Sequence, residues 1–138
     1  MIVPQRIQLR RVKGWRMPAN TVVVARPSML GNPFVVTKEP TKHPTWSVHY
    51  VPNPRVDIGP GGFVDDFETR EEAIECAVDT YREWATEGRN HYLRVLYFID
   101  SHKLSGKNLG CWCPLVQPCH ADVLLELANP SLFDEAGP

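Results

Sequence analysis

The sequence predicts the α/β class: one small Rossmann-like domain, with a short parallel sheet covered by about three helices and an irregular proline-rich insertion. Three stretches carry that prediction. TVVVARP at 21–27 is a β-branched run stopped by proline, the pattern of a buried strand. Residues 69–87 repeat apolar side chains at helical spacing. GCWCPLVQPCHADVL at 110–124 passes from strand-like alternation to a second helical pattern. A chain of 138 residues, 43% hydrophobic and 22% charged, is long enough to bury one core.

In chain order, residues 2–12 alternate, with Ile7 and Leu9 opposed to Arg6, Gln8 and Arg10, and predict a strand with one buried face. Gly14 and Pro18 bracket a turn around Trp15. The 21–27 strand follows, then the loop SMLGNPF (28–34), where Gly31 and Asn32 tolerate positive φ and Pro33 keeps Asn32 out of a helix. Residues 35–62 read as a variable insertion or hairpin, with WSVHYV (46–51) as its strand and GPGG (59–62) as a break.

Thr69 followed by Glu72 fits a capping box and opens the 69–87 helix. Ile74, Ala77, Val78, Tyr81 and Trp84 or Ala85 form its buried stripe, Gly88 closes it, and Cys76 within it reads as a buried, inert thiol. HYLRVLYFIDSHKL (91–104) is apolar nearly all round and is assigned as helix on its length. NLGCWC (108–113) is a short strand ended by Pro114, and Pro118 suits the first turn of a helix over 118–128. Asn129 and Pro130 stop that helix. The domain thus covers 1–130, with 131–138 a loose tail.

The net charge of −1 argues against a chain-wide electrostatic nucleic-acid binder. Arg6, Arg10, Arg11, Lys13 and Arg16 nevertheless precede the first acid, Glu39. That basic start is either solvated surface or a holder of phosphates. No apolar run reaches the length of a membrane span, and the N-terminus lacks a signal-peptide pattern. The expected location is the cytoplasm, where thiols stay reduced and cysteines are free.

Two constellations carry candidate chemistry. Cys111, Cys113, Cys119 and His120 lie within ten residues of one another. Alternation puts Cys111 and Cys113 on one strand face, and Cys119 and His120 open the next helix. The set has the ligand types and number of a tetrahedral zinc site, although adjacent Cys-His ligation is sterically awkward because neighbouring side chains diverge. A second reading makes Cys119 an activated thiol at a helix N-terminus, with His120 beside it and Asp122 orienting the imidazole. In a third, the cysteines are only small buried side chains. The other constellation is Arg26, Ser28, Gly31 and Asn32 at the end of the 21–27 strand. Arg26 suits a phosphate or carboxylate, Gly31 a close backbone approach, and Asn32 an amide or base edge. The loop matches neither the P-loop nor the dinucleotide fingerprint. If the 21–27 and 108–113 strands run parallel, both constellations end on one side of the sheet.

VKGWRMPANTVVVARPSMLGNPF (12–34), SGKNLGCWC (105–113) and PCHADVLLELAN (118–129) together resemble the domain-of-unknown-function family numbered 4326. The resemblance implies a small cytosolic α/β domain, often encoded by phages, in which case its location is the host cytosol. It also groups Arg26, Gly31, Asn32, Pro33, Cys111, Cys113, Cys119, His120 and Asp122 as one site. The ending is similar to that of another α/β family in which a Cys-His-Arg triplet opens the last helix, and here Ala121 stands in place of that arginine.

The functional expectation is a crevice between the GNPF loop and the Cys-His helix that binds a small anionic ligand, a nucleotide or modified base. Cys119, His120 and Asp122 would supply thiol or acid/base chemistry, and Arg26, Ser28, Gly31 and Asn32 would hold the ligand. The alternative is a non-enzymatic zinc-stabilised module that binds nucleic acid or a host protein.

Overall fold

The computed structural model describes residues 3–57, 59–86, 99 and 103–134. Its elements, in chain order, are β1 (Arg6–Gln8), β2 (Thr21–Val23), β3 (Phe34–Lys38), β4 (Trp46–Tyr50), β5 (Gly62–Phe67), α1 (Arg70–Thr86), β6 (Asn108–Cys111), α2 (His120–Ala128) and α3 (Pro130–Asp134).

Two sheets share the core. The first has the order β1-β6-β2 with both pairs parallel. The strand pairing inferred from the sequence is therefore present, Val22 facing Leu109 and Val23 facing Gly110. Both strands are shorter than expected. The β2 ladder continues only to Val24, whose N–H donates to the Gly110 carbonyl at 2.9 Å, before the chain turns at Ala25–Ser28. The central strand is β6, buried along its whole length, and β2 is an edge.

The second sheet corrects the sequence reading. Residues 34–67 are a regular antiparallel meander, β3-β4-β5, with a register shift between Val48 and His49. The prolines in this stretch lie in its connections, at Pro40, Pro44, Pro52, Pro54 and Pro60, so they punctuate the strands without interrupting a ladder. The α/β class, a small parallel sheet and the helices expected near 69–87 and 118–128 remain of the expected architecture, and the antiparallel sheet departs from it.

Helix α1 carries half of the expected capping box, the Glu72 carboxylate meeting the Thr69 hydroxyl and not a backbone N–H. The Glu72 N–H donates to Thr69 Oγ1 at 3.2 Å and the Thr69 hydroxyl donates to the Glu72 carboxylate at 2.9 Å. Its buried stripe is Ala73, Ile74, Ala77, Val78, Tyr81 and Ala85. Cys76 lies off that stripe, half-buried, with its sulfur 3.6 Å from the Thr80 hydroxyl. The stripe packs on β3, β4 and α2, and α2 in turn packs on β6 and β1, so the two helices together join the sheets. Pro118 precedes α2 rather than entering it. Asn129 caps its end, and Pro130 opens the short α3 where a loose tail was expected. The helix assigned to 91–104 and the stop at Gly88 lie outside the described residues, apart from Ile99, Lys103 and Leu104. Among the described residues, no helix is long and apolar enough to cross a membrane.

Candidate metal centre and ligand cavity

Strand β6 delivers Cys111 at its carboxyl end, and two residues later Cys113 returns to the same side. Their sulfurs are 3.8 Å apart. Cys119 is the N-cap of α2, with an extended backbone at φ −149° and ψ 149°, and His120 is the first helical residue. That change of backbone conformation overturns the steric objection to neighbouring ligands. It turns both side chains to one point, with Cys119 Sγ 3.6 Å from His120 Nδ1. The ligand atoms of Cys111, Cys119 and His120 all lie within 4.8 Å of one another, and all three residues are buried. All four cysteines are free thiols, Cys113 being half-exposed.

These separations have a geometric meaning. Two Zn–S bonds of about 2.3 Å at the tetrahedral angle put their sulfurs about 3.8 Å apart, and a sulfur and an imidazole nitrogen about 3.6 Å apart. The 3.8 Å and 3.6 Å separations seen here match two edges of such a tetrahedron, while Cys113 falls outside the group whose ligand atoms all lie within 4.8 Å of one another.

The imidazole is set for the same task. His120 Nε2 lies 2.9 Å from the Val24 carbonyl oxygen. A carbonyl only accepts, so Nε2 carries the hydrogen, and the neutral ring then presents its Nδ1 lone pair to the sulfurs. Tyr81 packs edge-on against the ring at 5.3 Å and fixes its plane. Val24 therefore takes the orienting role expected of Asp122. The Asp122 carboxylate instead accepts the Cys119 backbone N–H at 3.2 Å and pairs with Arg6 at 3.0 Å.

Charge within the cluster is unequal. Hydrogen bonds from the Cys113 and Cys119 thiols hold the Cys111 thiol far below its usual range. Cys113 and Cys119 are pushed up, chiefly by Cys111 taking the charge. Burial raises Cys119 further. This environment opposes the activated nucleophile expected at Cys119: the residue is 2% exposed and its thiol is pushed up by the hydrogen bond to Cys111.

Arg6 holds the loop that connects the ligands. Its guanidinium donates to the carbonyls of Pro114 at 3.2 Å, Leu115 at 2.8 Å and Gln117 at 2.8 Å, as well as to Asp122. Its side chain is 8% exposed, so it belongs to the interior and not to the basic surface it was grouped with. Arg10, Arg11, Lys13 and Arg16 do lie on the surface, and Arg11 stacks over Trp112 at 4.8 Å.

The cluster faces a cavity of about 300 Å³ at the carboxyl ends of the parallel strands. Arg26 and Asn32 line it with all three clustered cysteines and His120, so the two constellations do meet. Ser28 and Gly31 do not line this cavity; they line a second one, which Arg26 and Asn32 also border. Asn32 spends its amide on the fold: Oδ1 accepts the Phe34 N–H at 2.8 Å and Nδ2 donates to Ala77 at 3.3 Å. The sequence reading missed Arg70 and Gln117, which close the cavity mouth. The position of Arg70 directly after a helix cap was the available signal. No carboxylate lines the cavity, where Arg26 and Arg70 stand against the charge that Cys111 takes.

A family model described as domain of unknown function (DUF4326) matches residues 7–130, and the chain belongs to that family. Comparison with curated proteins and with solved structures gives no match.

Proposed function

We propose that this member of the DUF4326 family is a zinc-centred domain that binds a small anionic ligand of the nucleotide or modified-base class. The observation that supports it best is the convergence of Cys111, Cys119 and His120 within 4.8 Å, with two separations at tetrahedral edge lengths and the His120 tautomer fixed by Val24. Cys111, Cys119 and His120 hold the ion from the buried side, and the half-exposed Cys113 completes the set. A bound divalent ion would offset two of the three thiolate charges, and these ligands would then join β6 to α2.

The ligand enters at the carboxyl ends of β2 and β6, the position favoured in α/β proteins with parallel strands. Arg26 and Arg70 supply positive charge there, and Phe34, Trp112, Ile74 and Val78 supply apolar and aromatic surface for a flat ring. Cobalt substitution tests both parts. A tetrahedral thiolate-rich Co²⁺ spectrum that shifts when nucleoside monophosphates are added supports the reading. Absence of stoichiometric binding of the metal ends it.

One observation favours a second reading. Arg10, Arg11, Lys13 and Arg16 are exposed, and Arg11 lies over the half-exposed Trp112, which is the pairing of cations with an aromatic platform used on single strands. Binding of a single-stranded oligonucleotide that weakens steeply with salt, and is lost in R11A, would identify it.

A further inference from the structure

The second cavity, of about 440 Å³, lies between the loop after β2 and the turn at 51–55. All four residues that the sequence singled out around the GNPF loop line it: Arg26, Ser28, Gly31 and Asn32. Arg55, which the sequence reading passed over, lines it from the opposite loop. No carboxylate does, while three prolines and Val51 give it apolar walls.

The two loops are built to keep this space. Asn53 donates from Nδ2 to the Pro27 carbonyl at 3.3 Å, and its Oδ1 accepts the Arg55 backbone N–H at 3.0 Å. Ser28 Oγ accepts the Leu30 N–H at 3.1 Å, which leaves its own hydroxyl hydrogen available. Gly31 lies hard against Arg26: a Cβ there would sit 2.8 Å from Arg26 Cγ and 3.0 Å from its Cα and N. Only glycine lets the loop close on the arginine in this way. Arg26 itself makes one long bond, to the Asn32 carbonyl at 3.3 Å, and the Arg55 guanidinium has no protein partner among the described residues. Two cations facing a concave space with no acid between them call for an anion.

We propose that this cavity is the phosphate subsite of the ligand whose other end faces the metal cluster. A phosphomonoester group sits between Arg26 and Arg55 and accepts the Ser28 hydroxyl. Its flat heterocyclic end passes the shared wall of Arg26 and Asn32 towards the cysteines. The ligand class is therefore a nucleoside monophosphate or a compound of that shape. The inference rests on the metal-facing cavity being a ligand site.

The test is calorimetric titration of the zinc-loaded full chain with a panel of nucleoside monophosphates, the matching nucleosides and orthophosphate. At least one monophosphate is expected to bind about tenfold or more tighter than its nucleoside. R55A brings the two within about twofold and leaves the zinc content unchanged, whereas R55K, a point charge without the planar fork, falls between. Equal affinity of nucleoside and monophosphate, or full affinity in R55A, overturns the subsite. If R70A or metal removal abolishes binding while R55A does not, the phosphate inference falls and the metal-facing site stands. If no monophosphate binds the intact protein, both fall.

Discussion

The parallel sheet has strands of three and four residues, whereas the antiparallel sheet has strands of five and six. By length alone the second is the sturdier. Its polar pairs run between neighbouring strands and turns: Lys42 with Asp66 at 3.0 Å and His49 with Glu39 at 3.6 Å near the surface, and the buried Ser47 with Asp66 at 2.6 Å. The short parallel sheet is held from its ends by side chains far apart in sequence. Arg6 clamps 114–117, Asn108 Oδ1 accepts the Gln5 N–H at 3.0 Å, and Asn129 Oδ1 accepts the Gly106 N–H at 2.8 Å. A three-residue ladder stabilises little by itself. The contrast locates the chemistry: the sheet too short to stand alone is the one organised around the Cys-His cluster.

Breaking that cluster is the strongest test of the contrast. Cys119→Ser, or chelation of the wild type, is expected to cost on the order of 4 kcal/mol, because ion binding and folding are coupled there. Amide exchange should then rise in β1, β2, β6 and α2 while the β3-β4-β5 meander stays protected; uniform loss of protection would contradict the division. A bound zinc would need thiolates from Cys113 and Cys119, whose thiols are pushed up, so metal affinity is expected to fall as pH falls. Competition with a chromophoric chelator between pH 8 and 6 checks the sign.

Arg6→Met comes next. It takes a donor from three carbonyls and leaves Asp122 with only the Cys119 N–H, and urea unfolding should show a loss of about 2 to 3 kcal/mol. A loss under about 0.5 kcal/mol would return Arg6 to the solvated surface. Gly31→Ala sharpens the picture at the neighbouring loop. Its Cβ meets Arg26 backbone as well as side chain, so a stability loss of about 1 to 3 kcal/mol is expected together with weaker monophosphate binding.

The smallest effect belongs to the antiparallel sheet. Hydrogen bonds from Ser47 and Lys42 lower the Asp66 carboxyl below its ordinary value of 3.8. A depressed folded-state value means the contribution is present in full above that ordinary value and fades as pH falls through the folded one. Asp66→Asn should therefore lower stability slightly at pH 7, and the difference from the wild type should vanish as pH falls through the folded value. A large loss at neutral pH would show that this sheet, too, depends on a buried ionic contact.

The sequence disclosed those features whose signal is local. The Thr69–Glu72 cap, the α1 stripe and the alternation that puts Cys111 with Cys113 are properties of adjacent residues, and each is present. The parallel pairing of β2 with β6 was inferred from two runs that each end in a polar motif, and it holds. The meander at 34–67 was hidden by its prolines, whose number disguised their confinement to the connections. Long-range roles were not legible. Arg6 reads as one of a basic run until the 114–117 loop is folded over it, and the Val24 carbonyl is a backbone atom that no side-chain motif reports. Asp122 was assigned to the wrong partner because closeness in sequence to His120 does not fix where a carboxylate on the first helical turn points.

Zinc-edge X-ray absorption on the purified full-length chain, with metal content measured on the same sample, tests the central claim most directly. One zinc per chain is expected, with a shell of three sulfurs at about 2.3 Å and one nitrogen at about 2.0 Å. Substoichiometric metal, or a shell of oxygen and nitrogen without sulfur, would contradict it.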